Sequence, residues 1–184
     1  MSKITLFGFF LLSFVAPFVM AQDPVNLSAP QPQHEFLKRF TGEWETSSEA
    51  TIEPNQPKMK ATGKMSARML GEFWVVSEST TEMMGTKVNA IQTIGYDPRL
   101  KKYVGTWIDS MMNHMWKYEG SVDESGKILT LDAEGPSFEQ EDKLAKYRDV
   151  YEFKSEDLIN ISSQVLGEDG KWVTFVTGTA KRKK

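Results

Sequence analysis

The chain has no cysteine among its 184 residues. Disulfides, thiolate metal centres, a thiol nucleophile and a lipid-modified N-terminal cysteine are therefore excluded. Histidine is nearly as scarce, with His34 and His114 the only two. Metal ligands would have to be mainly carboxylates, and no spaced cluster of them appears, so no metal site is expected. Neither a Gly-x-Ser-x-Gly elbow nor a His-Glu-x-x-His motif occurs, which removes two common routes to hydrolysis. No internal repeat is visible.

Long apolar runs are confined to the N-terminus. Lys3 precedes an apolar run from Ile4 to Phe18, broken by Gly8, Ser13 and Pro17, and Val19-Met20-Ala21 supplies small or tolerated residues at a cleavage site. The run is shorter than the roughly 20 residues a membrane span needs, so residues 1–21 read as a secretory signal peptide cleaved after Ala21. The expected location is periplasmic or extracellular, with no integral membrane span. Loss of Lys3 leaves 21 basic and 25 acidic side chains, a net charge of −4. Four of the basic ones form the tail Lys181-Arg182-Lys183-Lys184, so the body carries −8. Such a body lacks the basic face that nucleic-acid binding requires. The tail itself reads as a frayed, solvated end.

Residues 22–33, with Pro24, Pro30 and Pro32, read as a linker. From His34 to Phe40 the apolar residues Phe36, Leu37 and Phe40 share one face of a short helix. Thr41-Gly42 stops it, with Gly42 suited to a left-handed C′ position, and His34 reads as solvated at the helix start. Strands follow. Lys60 to Leu70 alternates, with Ala61, Gly63, Met65, Ala67 and Met69 on one face. Turn signals at Gly71, Gly85, Asp97-Pro98, Asp123–Gly126, Ser155–Asp157 and Gly167–Gly170, and a polar loop opened by Gly135-Pro136, cut the chain into about ten antiparallel strands. The last runs from Trp172 to Ala180. A meander of about ten strands has two bare edges unless it closes. The expected fold is therefore all-β, an antiparallel up-and-down barrel with a short N-terminal helix, spanning residues 34–184 as one domain. A two-sheet sandwich is the competing layout.

The most informative stretch is the hairpin of Lys102–Asp109 and His114–Val122. If its tip lies between Met111 and Met112, Asp109 faces His114, Trp107 faces Trp116 and Gly105 faces Tyr118. These six share a face, and Lys117 and Glu119 belong to the other, in water. The Trp107/Trp116 face is thus expected inside the barrel, with Asp109 and His114 at its rim. A one-residue register slip would undo this arrangement. Two indoles with a carboxylate–imidazole pair at the mouth have the make-up of a small-molecule site. Ordinary core packing with a solvated hairpin tip is the other reading. Ser110 points away from Asp109 and His114, which spoils any hydrolytic triad. Arg148, within a strand, would suit an anionic ligand group if it faces inward, or is simply an outward charge. Met83, Met84, Met111, Met112 and Met115 offer either an adaptable apolar lip or core filler.

Two resemblances follow from these residues. A short helix before Gly42-Glu43-Trp44 resembles the Gly-x-Trp opening of the calycins, the lipocalins and fatty-acid-binding proteins. That resemblance implies that Trp44 closes the barrel floor and is stacked by a cation from near the chain end, Arg182 or Lys181. More specifically, the segment GYDPRLKKYVGTWIDSM (residues 95–111), with Met83-Met84-Gly85 before it and the GEDGKW of residues 167–172 after it, resembles an exported bacterial family of unknown function, the one numbered fifteen seventy-nine. The likeness spans His34 to Lys183 and implies a lipocalin-like barrel. Met112-Asn113 stands where that family often has a glycine. No catalytic residue follows from it.

The expected function is binding of a small apolar or amphipathic molecule. The expected site is Trp107, Asp109, His114, Trp116, Tyr118 and Arg148, and Gly42, Trp44 and Arg182 close the barrel. Two alternatives stay open. One is an enzyme using Asp109 and His114 as acid and base, or a haem held through His114 or His34 as in the calycin-like nitrobindins. The other is a filled barrel with a structural or interaction role. No other cofactor is expected.

Overall fold

The computed structural model describes residues 29–51, 57–138, 140 and 142–184. The expected signal peptide and its cleavage site lie outside the described residues. Helix α1 spans Pro32–Leu37 and runs into a 3-10 turn, Lys38–Phe40. The strands are β1 (Gly42–Ala50), β2 (Met59–Leu70), β3 (Trp74–Met83), β4 (Thr86–Asp97) and β5 (Lys102–Asp109). They continue as β6 (Trp116–Val122), β7 (Ile128–Pro136), β8 (Leu144–Ser155), β9 (Leu158–Leu166) and β10 (Trp172–Arg182). Each pairs antiparallel with its sequence neighbours, and β10 pairs with β1, so the sheet is a closed barrel. Closure leaves no bare edge, and the sandwich is ruled out.

Register fixes which residues face in. Trp44 lies opposite Met65 and Thr46 opposite Gly63. Ala67 lies opposite Ser77, Ser77 opposite Gln92, and Gln92 opposite Trp107. The β2 alternation read from the sequence therefore holds, and Arg68 is exposed on the outer face.

One end of the barrel is packed solid. Leu37 and Phe40 come down onto Trp44, Val75, Ile94, Leu129, Phe153 and Ile159, all buried. The rings there meet edge to face, with Phe40 4.9 Å from Phe153 and 5.5 Å from Tyr151. The helix is a plug. It begins at Pro32 rather than His34, because a proline at the first helical position gives up only an amide that has no helical partner. The expected linker thus ends earlier. His34 is also buried rather than solvated. Its Nδ1 accepts the Gln31 amide at 2.8 Å, which satisfies a free N–H of the helix start.

Arg182 locks the floor. It lies within β10, opposite Trp44, rather than beyond the last strand. Its guanidinium sits 4.1 Å above the Trp44 ring. It donates to the carbonyls of Thr41, Arg39 (3.1 Å) and Glu156 (3.0 Å), and the Trp44 indole N–H donates to Phe40 O at 2.7 Å. The tail is therefore held rather than frayed at this point, and the Lys183 amide donates to Glu43 O at 2.7 Å. Gly42 follows the C-cap Thr41 of the 3-10 turn, the C′ position expected of it. It opens β1 at φ +116°, and a Cβ there would lie 2.5 Å from Arg182 Nη1. Glycine is required by both backbone and space.

Replacing Arg182 by Ala removes the stack and leaves carbonyls at the floor unpaired. Urea unfolding should show a loss of about 2–4 kcal/mol, against less than about 0.5 kcal/mol for the exposed Lys181→Ala. Equal effects would mean that the stack does not secure the closure.

Candidate functional site

Above the packed floor the inner wall changes character. Thr46, Ser48, Ser79 and Thr81 on the β1–β3 side face inward yet stay half-buried, as do Ile161 and Ser163 on β9. Inward residues at the floor are fully covered, so the inner wall on this side is less tightly packed than the floor. Across from the hydroxyl wall stands an aromatic one. Trp107 and Trp116 are directly paired, and Tyr118 lies opposite Gly105. The Trp116 ring meets Tyr147 edge-on at 4.9 Å, and Tyr147 meets Phe138 at 5.3 Å. Gly135 makes room for this. It belongs to β7, opposite Ala145, instead of opening a loop. A Cβ on it would overlap the Trp116 ring.

The hairpin tip departs from the expected pairing. β6 begins at Trp116, so His114 lies just outside it and is not paired with Asp109. The Asp109 carboxylate is occupied otherwise. It accepts the Met111 and Met112 amides at 2.7 and 3.1 Å and the Trp107 indole N–H at 3.1 Å. It caps the tip and fixes an indole. His114 packs edge-on against Trp116 at 4.9 Å, and its buried Nε2 has no hydrogen-bond partner among the described residues. Ser110 is turned away, as expected, with its Oγ accepting the Asn89 amide at 3.1 Å. Met84, Met111 and Met115 are exposed around the mouth, whereas Met112 packs on the core.

Arg148 does not face the lumen. It sits on the outside of β8, gripping Asp132 through two hydrogen bonds of 2.6 and 3.0 Å, with its guanidinium 4.1 Å from the Trp172 ring. The residue that faces inward is its neighbour, Asp149. Alternation sets Asp149 on the inner face of β8 between the buried Tyr147 and Tyr151, and the residue itself is half-buried. Tyr118 donates to its Oδ2 at 2.6 Å and Ser163 to its Oδ1 at 2.6 Å. Gln92 donates to the Tyr151 hydroxyl at 2.8 Å beside it. The period of two carried the signal for Asp149, because it groups Tyr147, Asp149, Tyr151 and Phe153 on one face and leaves Arg148 on the other.

Burial holds the Asp149 carboxyl above the usual carboxylate range, against the pull of its Ser163 and Tyr118 hydrogen bonds. Tyr118 is pushed well up, by burial first and then by the negative charge of Asp149. Tyr151 is raised for the same two reasons. Among the described residues no group of three His, Asp or Glu side chains is placed to hold a metal ion. His34, packed between Phe73 and Tyr96 at 5.3 and 5.8 Å, is structural.

A groove of about 650 Å³ crosses β8, β9, β10, β1 and β2, lined mainly by outward residues such as Ser47, Thr62, Val150, Ser162 and Thr177 and reaching Ser48, Ala61 and Ile161 of the inner face. Its charges are already matched, Glu49 with Lys60 at 3.6 Å and Glu152 with Lys154 at 2.9 Å. The lumen, with an unmatched carboxylate and facing indoles, is the better equipped of the two.

The raised carboxyl has a sign-definite consequence. Below about pH 4 Asp149 is protonated folded or unfolded and costs nothing. As pH rises through its higher folded value, the buried group must charge, and stability falls. Urea unfolding across this range should show wild type losing stability relative to Asp149→Asn, and a pH-independent difference would contradict the assignment.

Comparison with known proteins bears on the fold. The S-type phycobiliprotein lyase CPES from Guillardia theta is 15% identical, with 83% of this chain and 93% of that chain covered and a TM-score of 0.56. Rv2717c from M. tuberculosis is 11% identical, with 85% and 100% covered and a TM-score of 0.63. At such identities the likeness establishes the calycin-like barrel and nothing about ligands. No curated protein matches the chain. The model of a family described as protein of unknown function (DUF1579) matches residues 29–182, most of the chain, and the protein belongs to that family.

Proposed function

We propose that the protein is an exported barrel that binds a small amphipathic molecule in the upper half of its lumen. The observation that carries this reading is the contrast within the barrel. The floor is packed to zero exposure at Val75, Ile94, Leu129 and Ile159, while Thr46, Ser48, Ser79, Thr81, Ile161 and Ser163 above it are only half-buried. Trp107, Trp116 and Tyr118 supply apolar surface, and the hydroxyl wall and Asp149 supply orientation, the mixture that small-molecule sites use. The apolar leader ahead of residue 22 supports export as part of the same reading. That one barrel neighbour is a phycobiliprotein lyase is in keeping with a lumen that holds a ligand.

The test is fluorescence titration with N-phenyl-1-naphthylamine, an uncharged amphipathic probe. Saturable enhancement is expected, weakened roughly three- to tenfold by Trp107→Ala and by Trp116→Ala. Leu100→Ser, at an exposed turn at the floor end, should change nothing. Absence of saturable binding, or binding untouched by both Trp variants, would overturn the reading.

A further inference from the structure

The lumen is charged in one sense only. Reading the inward positions of all ten strands from the register gives no lysine and one arginine, Arg182, which is taken up by Trp44 at the floor. Every cation in those strands is outside, as with Arg148 on Asp132, or at the floor, as with Arg182. The inward ionisable acids are Asp109 and Asp149. Asp109 spends both oxygens on the hairpin tip and the Trp107 indole. Asp149 is different. Two neutral hydroxyls donate to it, one to each oxygen, and each oxygen retains a lone pair able to accept a further donor. No cation pairs with it among the described residues. A carboxylate held in such surroundings without a counter-charge is expensive to maintain, and a fold that needed only packing would place an apolar residue there.

The rings around it fit the missing partner. Tyr118 bonds Asp149 directly, Tyr151 is the next inward residue on β8, and Trp107 and Trp116 continue the aromatic wall toward the mouth. Aromatic faces beside a carboxylate attract an organic ammonium through the ring quadrupole and the charge together, and do nothing comparable for a carboxylate ligand.

We propose that the ligand of this lumen is an organic cation, a protonated amine on an apolar body, with its head at Asp149 against Tyr118 and Tyr151 and its body along Trp107 and Trp116. This rests on the binding-barrel reading and narrows it. It also reverses the anionic preference that an inward Arg148 would have given.

Three probes of equal chain length separate the possibilities: decylamine, decanol and decanoate. Each is titrated calorimetrically into the mature chain at neutral pH, below micelle formation. Decylamine should bind at least about tenfold more tightly than decanoate, the value of a charge-assisted hydrogen bond. Asp149→Asn, verified as folded by circular dichroism, should bring the two within about threefold while decanol is unchanged. Decanoate or decanol binding as tightly as decylamine to the wild type overturns the cation assignment and leaves the binding barrel standing, and that comparison needs no variant. A preference that survives in Asp149→Asn overturns the role of Asp149. If none of the three binds, the binding-barrel reading itself fails.

Discussion

The barrel depends on one contact at its floor, the guanidinium of Arg182 over the indole of Trp44. It joins the last strand to the first, so closure and the capping of the floor are the same event. The reach of Arg182 to the carbonyls of Arg39 and Thr41 ties in the 3-10 turn as well, and that holds the α1 plug against the floor. Gly42 exists at its position because Arg182 occupies the space a side chain would take. Once the ring is closed here, the apolar core can be concentrated at one end. The other end does not have to be filled to keep the fold.

That division of labour explains why polar groups are tolerated inside. A continuous line of them runs down the upper lumen, from Asp109 at the tip through Tyr118 to Asp149, Ser163, Tyr151 and Gln92. Each is hydrogen-bonded, as buried polar groups must be. Yet the line still leaves Asp149 charged or protonated at a cost that apolar packing would avoid. Local violations of folding consistency of this kind collect where a protein does its work.

Much of this was legible in the chain. The strand meander followed from alternation and turn signals. The Gly42-Glu43-Trp44 opening implied the floor stack, and the hairpin register put Trp107 opposite Trp116. The errors have physical sources. The tip was drawn as a simple two-residue turn, but Asp109 captures two amides and lengthens it, which takes His114 out of the sheet. Gly135-Pro136 was read as a loop opener, although glycine served there to admit the Trp116 ring. Arg148 drew attention because an arginine in a strand is conspicuous. Its neighbour Asp149 is less conspicuous, although alternation alone sets it among Tyr147, Tyr151 and Phe153. His34 and the basic tail looked solvated because proximity to a chain end says nothing about tertiary partners, although the resemblance had already set Arg182 over Trp44.

The five tryptophans place one reporter in each part of the molecule. Trp44 is in the floor, Trp107 and Trp116 line the lumen, and Trp74 and Trp172 sit on the outer face. Their indole N–H signals, followed by NMR during titration with N-phenyl-1-naphthylamine, report directly where a ligand goes. A lumen site predicts that the Trp107 and Trp116 signals move together while those of Trp74 and Trp172 stay fixed. Movement of Trp74 or Trp172 with Trp107 and Trp116 unchanged would put the ligand on the outside of the barrel and contradict the account.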